Sequence, residues 1–252
     1  MLKTAMTAAG LALALTAGAA HADTVTVFVG GAMTGPVRTV AADFTKRTGD
    51  AVNIVSDTTG GLQKRLRAGE KADVVVATAP GLDTLQKETL TVAGGRADLA
   101  RALIGVGVKA GSPSPDLSSV ESFKKVLVAA KSVSYVDPAS GGTSGGYFEG
   151  LLKTMGIADV VKPKTVYRGQ GSDVAKAVAA GEAEIGITFT SELAPNPGVK
   201  VAGTLPAAVQ MPTIYTEALT PGASAKGQAF AKAMQSPVGM DAIRKAGLET
   251  LH

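Results

Sequence analysis

The sequence predicts an α/β fold built as two lobes, and three observations lead there. Short β-branched runs alternate with amphipathic segments of helix length along most of the chain, the pattern of βαβ units and parallel sheets. The run Asp73 to Ala77 is β-branched, with Val74 to Ala77 apolar at successive positions, the mark of a strand buried on both faces. From Ala102 on, through the turn-rich Gly111-Ser-Pro-Ser-Pro115, the same alternation is repeated, so a second set of strands and helices follows the first.

Taken in order, Thr24 to Val29 alternates and is rich in valine, which predicts a strand. Val37, Val40, Ala41 and Phe44 stand at helical spacing, and Gly49 ends that helix. Ala51 to Val55 reads as a second strand, Leu62 to Ala68 as a short helix closed by Gly69, and Asp73 to Ala77 as the third strand. The second set comprises a strand over Ala102 to Val108, a helix over Val120 to Ala130 and a strand over Ser132 to Val136. A helix led by Phe148, Leu151, Leu152 and Met155 follows. Next come a strand at Thr165 to Tyr167, a helix from a Ser172 cap to Ala180, and a strand at Glu184 to Phe189. In the tail, Val199 to Thr204 and Thr213 to Thr216 are strand-like, and Ala223 to Gln235 and Val238 to Ala246 are helical. The expected division is lobe 1 over residues 23–104 and 205–252, with lobe 2 over 105–204.

Residues 1–22 read as a secretion signal: Lys3, an apolar run from Ala8 to Ala17, and Ala20-His21-Ala22 as a small-x-small cleavage site. The run is too short and alanine-rich for a membrane anchor. Export to a bacterial periplasm, as a monomer, is the expectation. The net charge of +4 comes from scattered Lys and Arg, and aromatics make up only 4% of residues, too few to interleave a basic stripe; nucleic acid is not an expected partner. The sequence has no cysteine, and its two histidines are His21 and His252, so neither a metal cluster nor a Ser-His-Asp machine is expected. No cofactor is expected.

The segment from Asp137 to Tyr147 carries the most functional information. Glycines and hydroxyls between a strand and a helix leave backbone N–H groups free at a helix N-terminus, where the helix dipole favours anions. Ser140, Gly141, Gly142, Thr143, Ser144 and Gly145 are therefore candidate anion donors; the alternative is an ordinary capped loop. Thr58, Thr59 and Gly60, after the second strand, invite the same two readings. Ala32, Met33 and Thr34 fill the first loop, where Thr34 either meets the ligand or caps the helix. Arg168 stands beside Gly169-Gln170-Gly171, and its planar fork suits carboxylate or phosphate. Asp73 and Asp137 read as structural carboxylates held by backbone N–H groups.

Val25-Thr-Val-Phe28, Phe44-Thr-Lys-Arg-Thr-Gly49, Leu62 to Gly69, Ala72-Asp-Val-Val75, Asp137-Pro138 and Ile185-Gly-Ile187 recur in an order that resembles the periplasmic molybdate-binding proteins. The resemblance covers nearly the whole exported chain. It implies the two-lobed type II periplasmic binding protein fold, a ligand cleft between lobes that close on a small anion, and an ABC permease as partner. The family's oxyanion-donating serine and tyrosine correspond here to Ala32 and Phe189. Losing two charge-assisted bonds of roughly 1.5–3 kcal/mol each disfavours molybdate. An organic carboxylate or phosphate is the expected ligand. Aconitate isomerase is similar to the same family, so an allylic proton shift on an unsaturated tricarboxylate is the alternative. Its acid/base group would be Tyr147, Tyr167, Glu149 or Glu192.

Overall fold

The computed structural model describes residues 24–251. The leader, its cleavage site and His252 lie outside the described residues. Eleven strands and ten α-helices are seen within them: β1 Val25–Gly30, α1 Thr34–Thr48, β2 Val52–Asp57, α2 Thr59–Arg67, β3 Val74–Thr78, α3 Ala79–Lys87, β4 Ala97–Ala102, β5 Ile104–Lys109, α4 Val120–Ala129, β6 Val133–Val136, α5 Thr143–Thr154, α6 Ala158–Val161, β7 Thr165–Arg168, α7 Gly171–Ala180, β8 Ile185–Phe189, α8 Thr190–Leu193, β9 Val199–Thr204, β10 Thr213–Leu219, α9 Ala225–Met234, α10 Pro237–Lys245 and β11 Glu249–Thr250.

The strands form two sheets, a six-stranded one in the order β11-β4-β10-β3-β1-β2 and a five-stranded one in the order β7-β6-β8-β5-β9. Each sheet has a parallel trio, β2-β1-β3 and β7-β6-β8, and each trio is continued by an antiparallel strand, β10 beside β3 and β5 beside β8. The expected parallel pattern therefore holds for each trio. It gives way where the chain crosses between sheets, first at Leu103 and again between β9 and β10. This is the two-lobed α/β fold, with the cleft between the lobes.

Strand alternation explains the core. In β1, Val25, Val27 and Val29 face α1 and α9, where Val37, Val40, Phe44, Phe230 and Met234 are buried, with the Phe44 and Phe230 rings edge to face at 5.4 Å. Phe28 faces the other way, with Val75 and Ala77, onto Leu62 and Leu66 of α2 and Leu82 and Leu85 of α3. In the second sheet Tyr135 packs edge-on against Phe148 of α5, with ring centroids 5.0 Å apart. Asp73 accepts from the N–H groups of Thr26 and Ser224, the structural role read from the sequence.

Several local expectations are corrected. The segment from 88 to 102 contributes β4, which lacks the β-branched run that marks its neighbours; it is a strand because it pairs with β10 on one side and β11 on the other. The helix expected to be capped by Ser172 begins one residue earlier, at Gly171, and no side chain caps it.

Candidate functional site

The C-terminal ends of β1, β2, β6 and β8 point into the cleft, the position where α/β sheets present ligand groups. Each parallel strand ends in a tight turn into a helix. At β2 the turn is Thr58: its hydroxyl accepts from the Gly61 N–H at 2.9 Å and donates to the Ser140 carbonyl at 2.6 Å. The cap and the contact across the cleft are thus one atom's work. Gly60 N–H also donates to the Gly141 carbonyl, at 3.2 Å. Thr59 is buried, with its Oγ1 accepting from the Thr78 N–H at 3.4 Å.

At β6 the turn begins with Asp137, whose carboxylate accepts from the Ala139 N–H at 2.9 Å, the bracing role expected of it. Ser140 turns its hydroxyl inward onto the Asp137 carbonyl. Gly141 adopts φ 76°, a left-handed conformation that suits glycine. Gly145 lets the first turn of α5 ride on β6, since a methyl group there would collide with the Val136 carbonyl. No side chain caps α5 or α7. Both helix starts therefore offer main-chain donors to the cleft.

Between these turns lies a cavity of about 20 Å³, walled by Asp57, Thr58 and Thr59, by Gly142, Thr143 and Ser144, by Gln170 and Gly171, and by Gly31, Val136, Phe189, Glu192 and Tyr215. On this measure a water needs roughly 10–15 Å³, so anything much larger than a water enters only as the lobes part. Glu192 is the chemically pointed group. It starts from α8, and its carboxylate fits against Gly31 and Gly171, neither of which has room for a methyl group beside it. Burial pushes its pKa up to about 7, against the opposing hydrogen bonds from Thr188 and the Phe189 N–H. The Thr188 hydroxyl donates to Glu192 Oε2 at 2.5 Å, and Ser144 Oγ lies 3.4 Å from Thr188 Oγ1, so hydroxyls link the α5 turn to the carboxyl. Tyr215 reaches the same cavity from β10, with its ring edge-on to Phe189 at 5.8 Å. Burial and the nearby Glu192 raise its phenol well above the ordinary value.

The cavity thus gathers Thr58, Thr59, Gly142, Thr143, Ser144, Phe189 and Glu192 from the residues read in the sequence. Gly60, Ser140 and Gly141 meet across the lobes beside it. Ala32 and Met33 are packed into the core, and Thr34 shares a hydrogen bond with Ser56 at 2.7 Å. Arg168 is turned away from the cavity: it pairs with Glu182 and donates to the Tyr167 carbonyl at 2.9 Å. Of its loop, Gln170 and Gly171 reach the cavity wall instead. Among the acid/base candidates, Tyr147 donates to the Val209 carbonyl, Tyr167 accepts from Tyr135, and Glu149 lies off the cavity wall; Glu192 alone of the four lines it. Tyr215 was not foreseen, because nothing local distinguishes it from any strand tyrosine. Among the described residues no cluster of His, Cys, Asp and Glu could hold a metal ion, and no helix is long and apolar enough to cross a membrane.

Comparison with known proteins agrees with this architecture. A family profile described as bacterial extracellular solute-binding protein matches residues 25–249. The chain is 33% identical over 201 residues to an aconitate isomerase of a Pseudomonas species, covering 78% of this chain and 75% of that one. It is 28% identical to the molybdate-binding protein ModA of Haemophilus influenzae, covering 97% of this chain and 94% of that one. The periplasmic molybdate-binding protein of Azotobacter vinelandii superposes with a TM-score of 0.71 at 21% identity, over 89% of this chain and 98% of that one. The chain belongs to the bacterial extracellular solute-binding protein family.

Proposed function

We propose that the protein is a periplasmic receptor for a small organic anion bearing carboxylate or phosphate groups, delivered to an ABC permease. Residues 23–104 with 205–252, and residues 105–204, are the bodies that close on the ligand. The main-chain donors of α5 and α7 and the hydroxyls of Thr143 and Ser144 are its binding groups, joined by Thr58 and the α2 turn once the lobes part and free their bonds to Ser140 and Gly141. The observation that carries the choice of ligand is Glu192 in the cavity wall. An ionised carboxylate repels a fully ionised oxyanion, and molybdate brings no proton to relieve that repulsion. A ligand with a protonated group, or an electroneutral carbon backbone to set beside Glu192, suits the site better. Ala32 in the core and Phe189 on the wall, in place of hydroxyl donors, weigh the same way.

A second reading is favoured by Glu192 with Tyr215 and by the likeness to aconitate isomerase. In that reading Glu192, ionised, takes a proton from the methylene carbon of an aconitate. The C–H electron pair forms the new double bond, the old one shifts its pair to its far carbon, and the proton is returned there. A carboxyl that titrates near neutrality suits this exchange. Proton NMR of the protein with cis- or trans-aconitate in D2O separates the two. Growth of the other isomer with deuterium incorporation establishes the enzyme. Line broadening without turnover establishes a carboxylate receptor. An unaltered spectrum excludes aconitate and turns the search to phosphate esters.

A further inference from the structure

On the far side of Glu192 the cleft widens into a second cavity of about 360 Å³. Two helices from opposite sheets face it in the same way. The first turn of α1 brings Thr34, and one turn on stands Arg38; the first turn of α7 brings Ser172, and one turn on stands Lys176. Four residues is the spacing that sets two side chains on one helix face. Each helix therefore offers a hydroxyl at its positive end and a cation behind it. Lys176 is partly engaged by Asp173 of its own helix, at 2.8 Å. Arg38 has no acidic partner among the described residues. Gly31, Gln170 and Glu192 belong to the walls of both cavities, so the two spaces are neighbours.

We propose that this outer cavity is a second anion subsite, and that the cleft selects extended ligands with two anionic ends. One end lies among the helix N-termini of the inner cavity. The other lies between Arg38 and Lys176, and the carbon chain between them passes Glu192. The ligand class is a small di- or tricarboxylate, or a phosphorylated carboxylic acid. This rests on the organic-anion reading of the cleft. It also supplies the cationic recognition that Arg168, bound to Glu182, does not bring to the cleft.

The test is calorimetric titration at low salt, where exposed cations act most strongly. Tricarballylate and glutarate are compared with butyrate, a monoanion of similar size, in wild type, Arg38→Gln and the Arg38→Gln/Lys176→Gln pair. Melting curves confirm folding; both side chains are exposed, so both variants should fold. The expected result is that wild type prefers tricarballylate and glutarate to butyrate by about ten-fold or more. The double variant loses that preference while its butyrate affinity stays within about two-fold. Preference unchanged in the double variant, or an equal loss for all three probes, overturns the second subsite alone. If wild type binds none of these probes and no phosphate ester, the organic-anion reading falls and the subsite falls with it.

Discussion

The hydroxyl of Thr58 donates to the main-chain oxygen of Ser140 at 2.6 Å, although the two residues lie 82 positions apart in the chain. Beside them Gly60 and Gly141 meet backbone to backbone. A methyl group on Gly60 would stand 2.7 Å from the Gly141 Cα, closer than such atoms approach, and in tight contact at 3.2 Å with its carbonyl oxygen. The lobes can close this far only because two glycines face each other.

Gly60→Ala should therefore hold the lobes apart without unfolding either one. The residue sits in the first turn of α2, where alanine is the better helix former, by up to about 1 kcal/mol. The melting temperature should be unchanged or slightly higher. Small-angle scattering should report a larger radius of gyration, and ligand affinity should fall about ten-fold as the closed population shrinks. Wild-type dimensions and wild-type affinity in this variant would show that the glycine contact does not limit closure.

On the receptor reading, Glu192 should make binding depend on pH in a defined direction. Its carboxyl, raised to about 7, is protonated below that pH and charged above it. Succinate has constant charge above about pH 6.5, so its binding to wild type should weaken by up to about ten-fold per pH unit above 7, one proton being required. Glu192→Gln keeps the shape and removes the proton, and its affinity should be level over the same range. A pH slope that persists in the glutamine variant assigns the titration to another group. If the isomerase reading holds, the same variant should lose turnover while still binding aconitate.

Arg168→Ala gives a sharp contrast. The guanidinium is occupied by Glu182 and the Tyr167 carbonyl, and the pair is half-buried, its Glu182 end open to water. Ligand affinity should stay within about two-fold, and stability should drop by no more than about 1 kcal/mol. A strong loss of affinity at unchanged melting temperature would mean that Arg168 exchanges Glu182 for the ligand as the lobes close.

What the sequence reveals of this molecule follows from how local each signal is. β1 announces itself by its alternating valines and β3 by its run of β-branched residues buried on both faces, and Gly49 and Gly181 mark helix ends, where both adopt positive φ. β4 is silent, since Ala97 to Ala102 carries no β-branched residue and its identity comes from pairing with β10. The same division runs through the site. Thr58 to Gly60 and Ser140 to Gly145 are legible because glycine and hydroxyl turns have their own chemistry. Tyr215 reaches the cavity only through the antiparallel register of a strand from the tail. Arg168 illustrates the converse: a residue in a suggestive loop finds its partner, Glu182, in the loop that follows the next helix.

Glu217 supplies a prediction independent of the cleft. It lies in β10 with no exposed surface, its Oε1 accepting from the Gln235 amide at 2.6 Å, while Oε2 has no partner. Burial, only partly offset by the Gln235 bond, pushes its pKa up to about 8. The folded protein therefore keeps a proton that the unfolded chain releases near its ordinary value of about 4.3. Where the native state holds more protons, stability falls as pH rises, so Glu217 destabilises progressively between about pH 4.5 and 8 and by a constant amount above. Glu217→Gln removes the titration and still offers a carbonyl oxygen to Gln235. Urea unfolding at about pH 8.5 should find the variant more stable by roughly 1–3 kcal/mol. Near pH 5 it should match wild type or fall slightly below it, because the amide leaves a buried N–H without an acceptor. Parallel stability curves for the two proteins across this range would place the native pKa of Glu217 close to its unfolded value, and the orphaned Oε2 would then need a partner such as a buried water.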